Sequence, residues 1–485
     1  MISKLFCLAL LLSNLSLAAQ TTIVWSDSMV VDATPRPITA PSIALLSDGT
    51  PIVTWGVNGD FVNFSSQIWC SRLENGAFTT PVGVVQAPDV PLLYGFGGFD
   101  VAISDSQVFV VFEQSAQGIF LARSDDAGLS FGGPSSVQGT VAGGYTLLAA
   151  VTVDGTSNPI VSYILYKDNS TNYLVRRSTD GGLSFNDDPV KGNAAAPGDA
   201  VCECCNSDLL SSGDSVWLVF RNNNQNLRDI WVSRSSDLAA TFNTATDVDA
   251  TDWQLNVCPI AGPRMARSGD SLVTVWMSGA SGKQRVYLST LHAVTMQAGQ
   301  QLEFPSPTGP ETVQSQTEVA ALGDTLGVVF VENSKELVFH YSTKGATNLD
   351  SPGTRFAIPD HTLQLPSIAF RNGVFHLVYV DATSGQVLYR QGLVKKTSPT
   401  NEPEKDSALD ISVFPNPVET GVFWVKSETQ ELQEISLFDV FGKKILGQKP
   451  GVSEAAVPTA NIPKGVYFLK LKTLKDELTR LIIVR

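Results

Sequence analysis

The sequence predicts an all-β protein: a β-propeller of seven repeats, followed by a small β-sandwich. Three observations point there: a turn-rich composition, an apolar strand that recurs along the chain, and a change of composition near the C-terminus. The 485 residues include 39 Gly and 26 Pro, and only 16% are charged. Abundant Val, Ser and Thr with frequent Gly and Pro favour strands joined by tight turns. The net charge is −14, so a phosphate backbone would be repelled, and nucleic acid is excluded as a partner.

Residues 1–19 read as a secretory signal peptide. Lys4 precedes an apolar run from Leu5 to Leu12, and small residues lead to Ala18 and Ala19, where cleavage is expected. Cys7 lies near the start of that run instead of after it, which argues against a lipid anchor. No later stretch is long enough for a transmembrane helix.

Residues 20–394 carry the repeat. Its second strand aligns most readily, as PIVTW (Pro51–Trp55), VFVVF (Val108–Phe112), PIVSY (Pro159–Tyr163), VWLVF (Val216–Phe220), LVTVW (Leu272–Trp276), LGVVF (Leu326–Phe330) and FHLVY (Phe375–Tyr379). A continuous apolar run closed by an aromatic ring suits a strand covered on both faces. Four-stranded blades stacked around an axis provide that environment. The N-terminal strand Thr21–Trp25 is then free to complete the last blade.

Two turns share the pattern S-x-D-x-G-x-S-F. One is built on Ser124, Asp126, Gly128 and Phe131, the other on Ser178, Asp180, Gly182 and Phe185; Ser235 to Phe242 is a degraded third copy. Ser and Asp side chains can bond turn amides, Gly can take positive φ, and Phe can plug the apolar layer. Turn building accounts for every part of the pattern, so Asp126 and Asp180 are read as structural, not as metal ligands or catalytic acids. These turns resemble the Asp-box of the sialidase superfamily. That resemblance implies a propeller, six-bladed as the alternative to the seven repeats counted. It also implies, for an enzyme, a glycoside hydrolase of exo-sialidase type with an arginine triad, a Tyr–Glu nucleophile pair and an Asp acid/base. Where the family places its first arginine, this chain reads Ala40-Pro41-Ser42-Ile43, with Arg36 upstream.

Residues 395–410 are polar and broken by Pro399 and Pro403, as in a solvated linker. Residues 411–485 then hold ten Lys or Arg against eight Asp or Glu. Val413-Phe414-Pro415-Asn416-Pro417, ISLFDVFGKKI at Ile435–Ile445, Lys464-Gly465-Val466-Tyr467-Phe468 and the final LIIVR resemble the type A C-terminal sorting domain of the type IX secretion system. The resemblance implies that this machinery is a partner and that the protein is carried across the outer membrane to the cell surface or medium.

In propellers, ligands bind near the axis, on the face where the chain approaches each innermost strand and where the second and third strands are joined. On that projection the candidate ligand-binding residues are Arg36, Tyr145, Glu203, Arg221, Arg228, Asp229, Arg264 and Glu318. Cys202, Cys204, Cys205 and Cys258 should meet there too, with Cys70 apart on a third strand. A disulfide from Cys258 to one of the trio, a copper(I) or zinc site, and free thiols all remain open. No cofactor is otherwise required. The Cys-x-Cys-Cys element with Arg221, Arg228 and Cys258-Pro259 resembles a subgroup of sialidase-like propellers, which implies a shared site and names no substrate. Three functions follow: recognition, with or without hydrolysis, of an extracellular glycan or other surface polymer; a non-catalytic adhesion or scaffold role; or thiol or metal chemistry. Three converging arginines beside a Tyr–Glu pair would favour hydrolysis, and an aromatic shelf without them would favour binding.

Overall fold

A computed structural model describes residues 20–485, except 33–37, 59–65, 86–90, 92, 94–97, 115–116, 186, 199, 307–308, 310, 352, 398–410, 419–420, 428–429, 441 and 475–476. The expected signal peptide, Arg36 and most of the expected linker therefore lie outside the described residues. Residues 21–396 form one compact unit, and the segment from Thr397 to Arg485 belongs to another.

The first unit holds seven antiparallel sheets. Blades one to seven span residues 38–83, 99–138, 144–191, 200–247, 264–303, 314–356 and 363–397. Each innermost strand touches that of the next blade, and the seventh touches the first, so the ring is closed. This settles the blade number at seven rather than six.

Every recurrent apolar run is the second strand of its blade, and most are buried along their whole length. Their side chains feed seven apolar clusters, one between each pair of neighbouring blades. Covering both faces explains why these strands do not alternate in polarity. The innermost strands of blades one, three, six and seven each carry a bulge, with two residues opposite one. In each bulge one residue has positive φ: Ala40, Leu148, Gln316 and Leu365.

Gln20–Trp25 pairs with the last strand, Gln386–Thr397, and forms the outer edge of blade seven. Ser26 N–H donates to Gln391 O at 2.8 Å, and the Trp25 ring meets Phe339 and Phe356 edge-on at 5.0 and 4.9 Å. The last strand runs to Thr397, three residues past the expected domain boundary.

Beyond residue 410, Ile411–Phe414, Val422–Ser427 and Glu454–Pro458 form one sheet; Lys444–Gln448, Leu432–Phe438, Gly465–Thr473 and Glu477–Val484 form a second. Their inward residues, among them Phe423, Leu437, Leu469 and Ile482, make a single core. The strand expected through ISLFDVFG stops at Phe438. There Asp439 accepts the Lys443 amide at 2.9 Å and turns the chain.

Candidate functional site at the axial mouth

Strand register defines a ring of equivalent positions around the axis. In each blade the fourth residue of the apolar run faces one residue of the innermost strand: Ser42, Asp100, Ala150, Asp208, Arg264, Glu318 and Ser367 in order. Three carboxylates thus share the axis with one guanidinium. Arg264 Nε donates to Glu318 Oε1 at 2.7 Å. Asp100 accepts the Val151 amide of the next blade at 2.8 Å, and Asp208 accepts that of Met265 at 2.8 Å. Desolvation pushes the Asp208 carboxyl up to about 7, with Arg264 opposing. Asp100 and Glu318 are raised for the same first reason, again with Arg264 opposing. A cavity of about 330 Å³ opens over this ring, walled by Asn206, Pro259–Gly262, Thr317 and Leu365–Ser367 among others.

Blade four departs from its neighbours at this level. Its innermost strand pairs as Ala200–Val201, leaves the sheet for six residues, and resumes at Asp208. That excursion holds three cysteines. Cys204 is disulfide-bonded to Cys258, which lies on the approach to blade five, with Cα atoms 6.3 Å apart. Cys202 and Cys205 are thiols, fully buried, with Sγ atoms 2.8 Å apart; Cys202 Sγ is 3.5 Å from Cys258 Sγ. Gly262 lets the two loops meet, because a Cβ there would lie 2.0 Å from Asn206 O. The hydrogen bond from Cys205, helped by the Arg221 and Arg228 charges, brings the Cys202 thiol down to about 7 against the opposing effect of burial. Burial pushes Cys205 well up.

The structure brings Glu203, Arg228 and Tyr145 together at the rim. Arg228 donates to Cys202 Sγ at 3.2 Å, Glu203 Oε2 at 3.0 Å and Leu255 O at 3.0 Å. Tyr145, 56% exposed, stacks on Tyr166 with ring centroids 4.9 Å apart. The Glu203 charge is felt at the Tyr145 hydroxyl, which burial first, then Tyr166 and Glu203, shift upward. Cys70 stands apart, buried between blades one and two.

Two candidates are corrected as ligand arms. Arg221 is fully buried and spends its guanidinium on the carbonyls of Ala261, Arg228 and Met277, so it braces the loops of blades four and five. Asp229, 1% exposed, accepts the Trp253 amide at 3.1 Å and stands beside Asp249 inside blade four. Asp100 and Asp208 escaped the sequence reading, although each sits eight residues before its apolar run, as Arg264 and Glu318 do.

The S-x-D-x-G-x-S-F turns follow the third strands of blades two and three, on the face opposite the mouth. Asp180 accepts from Ser178 Oγ, the Ser184 amide and Ser184 Oγ at 2.6–2.9 Å, and Asp126 repeats the pattern with Ser124 and Ser130. The Ser235–Phe242 turn reproduces every one of these bonds. There Ala239, at φ 66°, stands in for Gly128 and Gly182.

Residues 412–485 match the family model of the secretion system C-terminal sorting domain. The tail is a sorting domain. Through it the chain is addressed to the type IX secretion machinery and crosses the outer membrane to the cell surface or the medium. Among the described residues no helix is long and apolar enough to cross a membrane. No curated protein matches the chain in sequence. Among solved structures, a protein of unknown function from Dyadobacter fermentans shares 11% identity at TM-score 0.45, covering 77% of this chain and 99% of that one. An α-L-arabinanase from Penicillium chrysogenum shares 10% identity at TM-score 0.42, covering 78% and 99%. The Trypanosoma rangeli sialidase shares 9% identity at TM-score 0.41, covering 92% and 84%.

Proposed function

We propose that the exported propeller is a glycan-binding protein whose axial mouth recognises an extracellular polysaccharide or glycoconjugate, without exo-sialidase hydrolysis. The observation that carries this reading is the exposed Tyr145–Tyr166 stack beside Glu203 at the rim. An aromatic face packs against the C–H face of a sugar, and a carboxylate orients its hydroxyls. A cavity of about 330 Å³ suits a single sugar unit. Asn206 and Thr317 line it, and each carries a side-chain oxygen with no hydrogen-bond partner.

The arginines support binding over hydrolysis. Arg221 is spent on three backbone carbonyls, Arg228 on Cys202, Glu203 and Leu255, and Arg264 on Glu318. Among the described residues no three of them converge on a free carboxylate-binding position.

The test is a glycan array followed by calorimetry on the tightest binder, with sialic acid release from sialyllactose assayed alongside. Tyr145→Ala should weaken binding at least tenfold with melting unchanged. Undiminished binding by Tyr145→Ala would overturn the rim site, and sialic acid release would overturn the non-hydrolytic reading.

A further inference from the structure

We propose that the four cysteines at the axial mouth form a thiol–disulfide exchange centre, in which the bond between Cys204 and Cys258 can pass to Cys202 and Cys205. The inference is independent of the glycan reading. It rests on how the sulfurs are layered. Cys204 and Cys258 are partly exposed, whereas Cys202 and Cys205 lie fully buried behind them. A soluble thiol or disulfide can reach the outer pair alone, and the inner pair communicates with it through sulfur.

The distances permit that communication. Cys202 Sγ stands 3.5 Å from Cys258 Sγ, near the separation of reacting atoms poised for attack, and 2.8 Å from Cys205 Sγ. The nucleophile in such exchange is a thiolate. The guanidinium of Arg228, itself only 3% exposed and fixed by Leu255 O and Glu203, lies 3.2 Å from Cys202 Sγ and would stabilise that charge.

The steps balance. The Cys202 thiolate attacks Cys258 Sγ, the Cys204–Cys258 bond breaks, and Cys204 leaves with the electron pair and takes up the proton that Cys202 released. Cys205 then loses its proton and attacks Cys202 Sγ, and Cys258 leaves as the thiolate and is protonated. One S–S bond is lost and one gained, with no net oxidation. The outer pair is now a dithiol. It can reduce a small soluble disulfide to two thiols and close again, which leaves the centre with two bridges.

The experiment uses the mature full-length protein in its one-bridge state and oxidised glutathione as the probe. Samples are quenched in acid, alkylated with N-ethylmaleimide and mapped as non-reduced peptides, and released glutathione is counted. The expected result is two glutathione released per chain, with both Cys204–Cys258 and Cys202–Cys205 bridges recovered. Cys202→Ser should slow release at least tenfold, and Cys70→Ser should leave it unchanged. If Cys202→Ser does not fold, Arg228→Gln takes its place and should slow release several-fold. Three outcomes would overturn the proposal: no glutathione release, a release rate indifferent to both substitutions, or one equivalent of zinc or copper held by the cysteines of the purified protein.

Discussion

Asp208 shows how one position can serve the fold and burden it. Its carboxylate accepts the Met265 amide and ties blade four to blade five, yet desolvation pushes its pKa up to about 7. A carboxyl raised from its ordinary value of 3.8 contributes stability that is complete below about pH 4 and is lost as the pH rises through about 7. Asp208→Asn keeps an acceptor and removes the titration. Wild type should therefore melt progressively lower than the variant between pH 4 and 8, and a constant difference across that range would refute this account. The turn residues make a second prediction at this scale. Ser178 Oγ is fully buried and accepts the Gly182 and Asp180 amides. Ser178→Ala strands these donors and should cost about 1–3 kcal/mol by chemical denaturation, with the proposed glycan binding unaffected because the turn lies on the opposite face.

At the scale of the element, the deciding feature is the six-residue excursion from the innermost strand of blade four, locked to the loop before blade five. Gly262→Ala would drive a methyl into Asn206 O and force the loops apart. We expect a loss of about 1–3 kcal/mol, together with weakening of the proposed glycan binding. Unchanged melting and binding would show that the loops are not packed this way. The same element marks where sequence reasoning reaches its limit. The apolar runs were legible because burial on both faces leaves a continuous pattern in the chain, and the meeting of Cys258 with the trio followed from repeat alignment. Asp100 and Asp208 were not, because a lone Asp near a strand end reads as turn chemistry; only register shows that they share the position of Arg264 and Glu318. Arg221 was misjudged for a related reason. Its place at the end of a second strand puts it at the mouth, but the carbonyls of Ala261 and Met277 that capture it come from the next blade. The third S-x-D turn looked degraded because sequence records the missing Gly and not the backbone, which Ala239 adopts all the same.

At the scale of the whole molecule, the sandwich has its own core and the propeller closes its ring without it. Deletion of residues 411–485 should leave a propeller with unaltered melting that accumulates in the periplasm. Normal arrival of the truncated protein at the surface or in the medium would remove the export role from the tail. Opening the ring should do the reverse. Trp25→Ala removes the ring that packs edge-on against Phe339 and Phe356, and should lower stability by about 2–4 kcal/mol while leaving export to the sorting domain.

The closure also sets a clock on biogenesis. Ser26 bonds to Gln391 across a separation of 365 residues, so the first strand to be synthesised finds its place only against the last. Until the chain is made through about Thr397, the growing propeller is an arc with two open edges, one on blade one and one on whichever blade was finished most recently. A chain crossing a membrane in order of synthesis would hold its opening segment idle for nearly the whole passage. The completed ring is then a checkpoint: a product cut short before about Thr397 cannot pass for a finished propeller, because the latch and its catch lie at opposite ends of the propeller segment.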